Sequence, residues 1–282
     1  MTTITSSPPS TPAPKAFKRT NKGFANFTRN IATACAPVVV ILIVWELLAK
    51  FGNMPASLFP PLESIFAALV RMTKDGNLAS DVIGTFRRLF ESVFIGAFAG
   101  TVFGTLMGYF RWFERAFVVP MNFLLAIPGT ALFPLSMIWF GLTEMAIISI
   151  LIYEVALTVT VTTWTGVKTI DVSLIRAARV FGANNFSIIW RVLIPGALPS
   201  IISGYRIAFS RAWRILIIAE MLVSVTAGLG YRLYYAREFF QYDLVYAGLF
   251  IVGLSGLLIE RVVIRPLEVI TVSRWGTVRE LK

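Results

Sequence analysis

Apolar runs of membrane-spanning length recur along this chain, and one polar, basic segment, Asp171 to Pro199, interrupts them. A helix needs about 20 apolar residues to cross the hydrocarbon core of a bilayer. Six runs approach that length: Ala34–Phe51, Val82–Phe110, Val118–Phe140 with Pro128 and Pro134 inside it, Met145–Gly166, Pro199–Val225, and Leu244–Ile264. Only 15% of the residues are charged, where a soluble domain carries about a quarter. The expected fold is therefore an all-α polytopic membrane protein with six transmembrane helices.

The formal charge of +11 would suit nucleic-acid binding if it were clustered, but the Lys and Arg residues sit mostly in short loops and tails. With the N-terminus inside, cytoplasmic segments hold sixteen of them and outer segments seven, while Arg206, Arg211 and Arg214 fall within the fifth span. The positive-inside rule then places both termini and the Asp171–Pro199 segment in the cytoplasm. Nucleic acid is not an expected partner; membrane lipid is.

Residues 1–33 are rich in Ser, Thr and Pro and then in Lys and Arg, and read as a disordered cytosolic tail. A cleaved signal peptide is the competing reading, against which stands the length of the charged region and its distance from the start. A transmembrane domain spans 34–266, with a structured loop at 168–198, and 267–282 form a second cytosolic tail. Between the first two spans, Pro55, Pro60 and Pro61 precede a half-apolar stretch, Leu62–Met72, expected to be an interfacial helix.

Absent residues exclude several chemistries. The chain has no His and one Cys, Cys35, so His-based metal sites, Ser-His or Cys-His nucleophile pairs and a disulfide framework are all excluded. No Gly is followed by Lys, so the phosphate cradle GxxxxGK[ST] is missing as well. No catalytic residue, metal site or cofactor is assigned to the chain.

Charges inside the spans are informative. Arg206, Arg211, Arg214 and Glu220 lie in the fifth span and Glu154 near the middle of the fourth. Charges at that depth cost several kcal/mol unless paired or facing a wet cavity. Two readings stand: the arginines line a translocation pathway for an anion, or they neutralise Glu154 and Glu220 within the bundle. In the second span Gly96, Gly100, Gly104 and Gly108 recur every fourth residue, a face that lets another backbone approach closely, either within the chain or at a subunit interface.

Within the polar segment, Leu174, Ala177, Ala178 and Phe181 give one face of a short helix, with Arg176 and Arg179 pointing elsewhere. Gly182 suits the left-handed residue that ends it, and Asn184 suits the start of a second helix with Ile188, Ile189 and Val192 as its apolar positions. Pro195 and Pro199 are expected to stop that second helix.

These residues resemble the permease subunits of binding-protein-dependent ABC importers, in the nitrate/sulfonate/taurine group. That family's cytoplasmic loop reads Glu-Ala-Ala, three residues, Gly, nine residues, then Ile-x-Leu-Pro. The matching positions here are Arg176-Ala177-Ala178, Gly182, Val192, Ile194 and Pro195, with Arg176 standing where the family has Glu. Three further segments are similar: Ile127-Pro128 through Pro134-Leu135 to Trp139-Phe140-Gly141, with Thr143 where a Gly is usual; Gly204-Tyr205-Arg206 through Ala212-Trp213 to Ala219-Glu220-Met221; and Gly228-Leu229-Gly230-Tyr231 followed by Ala236-Arg237. The resemblance covers about residues 35–275.

The resemblance implies a MetI-like, type I importer fold in the bacterial inner membrane, working beside a second permease copy. It implies ABC ATPase subunits that bind ATP and Mg, and an extracytoplasmic substrate-binding protein that delivers the cargo. The loop would be the coupling helix, with Arg176, Ala177, Ala178, Arg179, Gly182 and Pro195 as its contact and turn residues. The solute implied is small and anionic: nitrate, a sulfonate, taurine, bicarbonate or an aromatic carboxylate. The chain itself would be no enzyme. An autonomous channel or ion-driven secondary transporter is the alternative, which predicts paired inverted repeats that the sequence does not display.

Overall fold

A computed structural model describes residues 22–52, 55, 57–223 and 227–266. The tail expected over 267–282, and most of the one expected over 1–33, lie outside the described residues. Every regular element described is helical. The chain divides into two units, Met1–Met54 and Pro55–Lys282.

The first unit contains α1, Lys22–Phe51. It starts twelve residues before the expected span Ala34–Phe51, so residues 22–33, read from sequence as tail, are helical. Its apolar stretch from Val38 to Val44 is exposed on every face, the pattern of a helix whose surroundings are apolar.

In the second unit α2, Leu62–Lys74, buries Ala68 and Met72 beside Ala247, and Arg71 pairs with Asp243. Helix α3, Asn77–Tyr109, begins five residues earlier than the span read from Val82. It holds Arg87 and Arg88, which the sequence reading counted among the outer charges although they fall within the span read from Val82.

The expected third span, Val118–Phe140, is not one helix. Helix α4, Arg111–Ala126, and a segment from Gly129 to Phe140, comprising a short 3₁₀ turn and α5, Phe133–Phe140, meet at 85°. Pro128 causes the break: it has no N–H to continue the ladder and pushes Ile127 into an extended conformation, and Ile127 has ψ 112.

Helix α6, Glu144–Lys168, runs through the centre of the unit. Gly96, Gly100, Gly104 and Gly108 of α3 all face it. A Cβ on Gly100 would fall 2.6 Å from the Ala156 carbonyl oxygen, and one on Gly96 2.8 Å from Val155 Cβ. The opposite side of α6 packs on α9, Ile194–Leu222, where Gly166 lies against Ser200 and Gly204 against Thr162. Small residues on both seams bring three backbones close, the usual means of helix association where no hydrophobic force operates between helices. Between α6 and α9 come α7, Val172–Val180, and α8, Asn185–Ile188. Helices α10, Leu229–Glu238, and α11, Tyr242–Ile259, complete the unit. Leu89, Phe133, Leu151, Val155, Leu216 and Leu229 are the buried centre of its core.

Among the described residues four helical runs are long and apolar enough to cross a membrane, and five if the bent pair counts as one span.

Candidate functional site

The α7–α8 segment is held by its own caps. Asp171 starts α7, its carboxylate accepting from the Ser173 N–H at 2.8 Å. This bond, with help from the Ser173 hydroxyl, holds the Asp171 carboxyl below the usual carboxylate range. The helix ends in a Schellman motif: the Gly182 N–H donates to the Arg179 carbonyl and the Ala183 N–H to the Ala178 carbonyl, at 2.9 and 3.0 Å. Gly182 takes φ +79, a conformation that glycine enters without penalty. Asn184 then caps α8, accepting from the Ser187 N–H at 2.8 Å.

Ile175 and Ala178 of α7 lie against a small core of Val167, Ile188, Leu193, Ala197 and Ile201. Arg179 donates to the Tyr109 hydroxyl at 3.3 Å, and that hydroxyl donates to Asn185 Oδ1 at 2.8 Å, tying the segment to the end of α3. Of the first helix's apolar face read from sequence, Leu174 and Phe181 are exposed, Phe181 at 89%, whereas Ile188 of the second helix's face is buried. Val180, Phe186 and Trp190, which belong to neither face, are exposed as well. Arg176 and Ala177 are also exposed.

The prolines do not stop this segment. One helical run continues from Asn185 to Leu222. A π turn, Ile189–Leu193, precedes Pro195, which occupies the first turn of α9, where a missing N–H is tolerated. Pro199 sits within the helix.

The five intramembrane charges separate into distinct settings. Arg206 pairs with Glu260 at 3.2 Å. Arg211 approaches Glu154 at 3.7 Å and Thr158 Oγ1 at 3.4 Å, and Glu154 stands over Gly129 at the bend of the third span. Arg214 reaches only the Ser210 carbonyl, at 3.2 Å, among the described residues. These three arginines share one exposed side of α9 with Ser203, Ile207 and Ser210. Sequence reading missed the serines, although the spacing of 203, 206, 210 and 214 puts one polar residue on that side at every turn.

Glu220 corrects the sequence reading. It is fully buried, and its partner is Arg88, itself 1% exposed, rather than Arg211 or Arg214. Glu220 also accepts from Thr85 Oγ1 at 3.0 Å and the Gly230 N–H at 2.9 Å. Arg88 donates further to the Ala227 carbonyl and pairs with Glu144 at 3.2 Å. Asp81 accepts from the Gly228 N–H at 3.0 Å, and Thr85 from the Leu229 N–H at 3.0 Å. This is a buried clasp on the first turn of α10, away from the exposed side of α9. Arg88, Thr85 and Asp81 went unassigned from sequence; Asp-x3-Thr-x2-Arg, three polar side chains on one face of an apolar helix, is the signal that marks them.

Closely seamed helices, a sharply bent span and a self-capped hook between apolar runs define a multi-pass helical membrane protein. The chain belongs to the family of binding-protein-dependent transport system inner membrane components, whose model matches residues 92–263. It is 33% identical to an ABC transporter permease protein of Methanocaldococcus jannaschii over 83% of this chain and 89% of that one. It is 36% identical to SsuC of Escherichia coli K12, named as an aliphatic sulfonates transport permease, over 79% and 84%, and 28% identical to the taurine transport system permease TauC of the same strain, over 83% and 86%. Its fold matches a chain of the inward-facing MetNI methionine ABC transporter, with a TM-score of 0.59 and 22% identity over 69% of this chain and 96% of that one.

Proposed function

We propose that the chain is the membrane-spanning permease subunit of an ATP-driven importer for a small organic anion, of which a sulfonate is the best-supported kind. Six spans, α1 included, cross the bacterial inner membrane with both termini and the α7–α8 hook in the cytoplasm. Two copies pair around a central pathway, two ABC ATPase subunits bind ATP and Mg, and a substrate-binding protein delivers the solute from outside.

One observation carries this reading: the α7–α8 hook is rigidly capped yet presents Val180, Phe181, Phe186 and Trp190 uncovered. Apolar side chains held out in this way are a docking surface, and a helix seated in a partner's groove transmits motion as a lever does. Arg176, Ala177, Arg179 and Gly182 belong to that surface, while Ala178 packs behind it on the small core and Pro195 lies at the root of α9. The relatives named for sulfonate and taurine transport support the solute class. The exposed polar side of α9, rather than Glu220, is the candidate pathway wall.

Gentle detergent extraction from native membranes, followed by mass spectrometry of what co-purifies, tests the reading. A P-loop ATPase in equal numbers with this chain is the expected result. A chain that emerges alone, and carries flux by itself in proteoliposomes, would overturn it.

A further inference from the structure

Three arginines share the exposed side of α9, and two carboxylates attend them. Arg206 has Glu260 at 3.2 Å and Arg211 has Glu154 at 3.7 Å. Arg214 has no carboxylate within ion-pair distance among the described residues, its guanidinium meeting only the Ser210 carbonyl. At 100° per residue, Arg206, Ser210, Arg214 and Arg211 all fall within about 140° of arc. Among the described residues the side therefore carries one positive charge without a carboxylate partner, well inside an apolar span, where such a charge persists only beside water or a counter-ion.

Space for both is present. A cavity of about 350 Å³ is lined by Ser210, Trp213, Arg214, Gly256 and Glu260. A second, of about 280 Å³, lies against Arg206, Ser210, Arg211 and Arg214. Arg214 borders both. Farther along the same side, Ile218 and Leu222 are exposed and apolar, so a solute passing along it meets its first polar group of α9 at Arg214 or its last.

We propose that Arg214, with the Ser210 hydroxyl beside it, is a transit site for the anionic head of the solute, a sulfonate or carboxylate group. The inference rests on the reading of α9 as the pathway wall and adds the side chain that meets the cargo. A guanidinium presents a planar fork of donors matched to two oxygens of either head. Arg206 and Arg211 are balanced by Glu260 and Glu154, so they tune the field and leave the net attraction at Arg214. A single fork also suits passage, because a transit site must bind firmly enough to admit the ion and weakly enough to release it.

A thiol probe tests this without knowledge of the natural solute. The intact transporter, purified with its partners, carries Ser210→Cys in a Cys35→Ser background. Its labelling rate is compared for two methanethiosulfonate reagents, one bearing an ethylsulfonate and one an ethyltrimethylammonium group, each referred to its rate with a small free thiol. The sulfonate reagent is expected to be favoured by roughly tenfold or more, the scale of charge focusing in a cleft. Arg214→Gln should abolish the preference and Arg214→Lys should retain it. If Ser210→Cys fails to assemble, Ile207→Cys on the same side serves. Labelling without preference, or a preference indifferent to Arg214→Gln, overturns the transit site and leaves the pathway wall standing. Labelling by neither reagent means that the side of α9 is sealed, and both readings fall.

Discussion

Arg88 of α3 and Glu220 of α9 form an ion pair in which neither side chain is more than 1% exposed. Desolvating two charges this completely is offset only when their remaining donors and acceptors are also satisfied. Thr85, Gly230, Ala227 and Glu144 satisfy them. The consequence is mechanical: α3, α9 and the first turn of α10 are fixed to one another by polar contacts in an otherwise apolar core. The α9 face with the arginines is thereby anchored at its C-terminal end.

Removing one partner leaves the other charge buried alone. Arg88→Met should destabilise the protein by about 3–5 kcal/mol, read as a fall in the thermal unfolding midpoint in detergent. The double variant Arg88→Met with Glu220→Gln should recover much of that loss, because the glutamine oxygen still accepts from the Gly230 N–H. Unchanged unfolding of Arg88→Met would mean that the pair contributes nothing net.

The glycine seam predicts a contrast within one residue type. Gly100→Ala places a methyl 2.6 Å from the Ala156 carbonyl oxygen, and backbone cannot yield as a side chain can. Overpacking of this kind costs about 1–3 kcal/mol, and Gly100→Leu should abolish assembly. Gly253→Ala in α11 meets nothing within 4 Å and should be neutral, or gain up to about 1 kcal/mol from helix propensity. Unfolding midpoints of the three variants, measured side by side, check the ordering.

The hook was legible from sequence because its signals are local. Asp171, Gly182 and Asn184 each act within three residues of themselves, and the caps they form depend on little else. The Arg88–Glu220 pair was not legible, since its partners are 132 residues apart. An arginine pair at a span's edge reads as loop under the positive-inside count. Both lie within the span read from Val82, and α3 holds them inside the helix. The third span showed its prolines, but a proline marks where a helix breaks and not the 85° angle it takes. Pro195 misled for a related reason: the π turn Ile189–Leu193 places it in the first turn of α9, where its missing donor is tolerated, and periodicity does not announce such a turn.

Asp171 predicts an acid-side loosening of the hook. Its carboxyl is depressed chiefly by the Ser173 backbone N–H. A depressed acid contributes its stabilisation above the unfolded value of about 3.9, and loses it as pH falls through the lower folded value. Hydrogen exchange of α7 amides, corrected for intrinsic rates, should be unchanged from pH 7 to pH 5 and should rise only below about pH 4. Asp171→Asn keeps a capping oxygen and should flatten that rise. A wild-type rise already complete at pH 5 would place the responsible group elsewhere.

Gly182 gives the sharpest test of the hook as a lever. A Cβ there meets nothing within 4 Å, so packing does not oppose substitution; the φ of +79 does. A residue other than Gly pays about 1–2 kcal/mol for the left-handed conformation, and β-branched residues pay most. Gly182→Val should therefore break the Schellman turn and redirect Phe181 and Phe186 while leaving the spans intact. ATP hydrolysis by the assembled transporter should then persist without matching uptake. Gly182→Asn, which tolerates the left-handed region, should retain coupling. The measurement is the ratio of solute imported to ATP hydrolysed in proteoliposomes. Equal ratios for Val, Asn and Gly at position 182 would show that the turn does not carry the coupling.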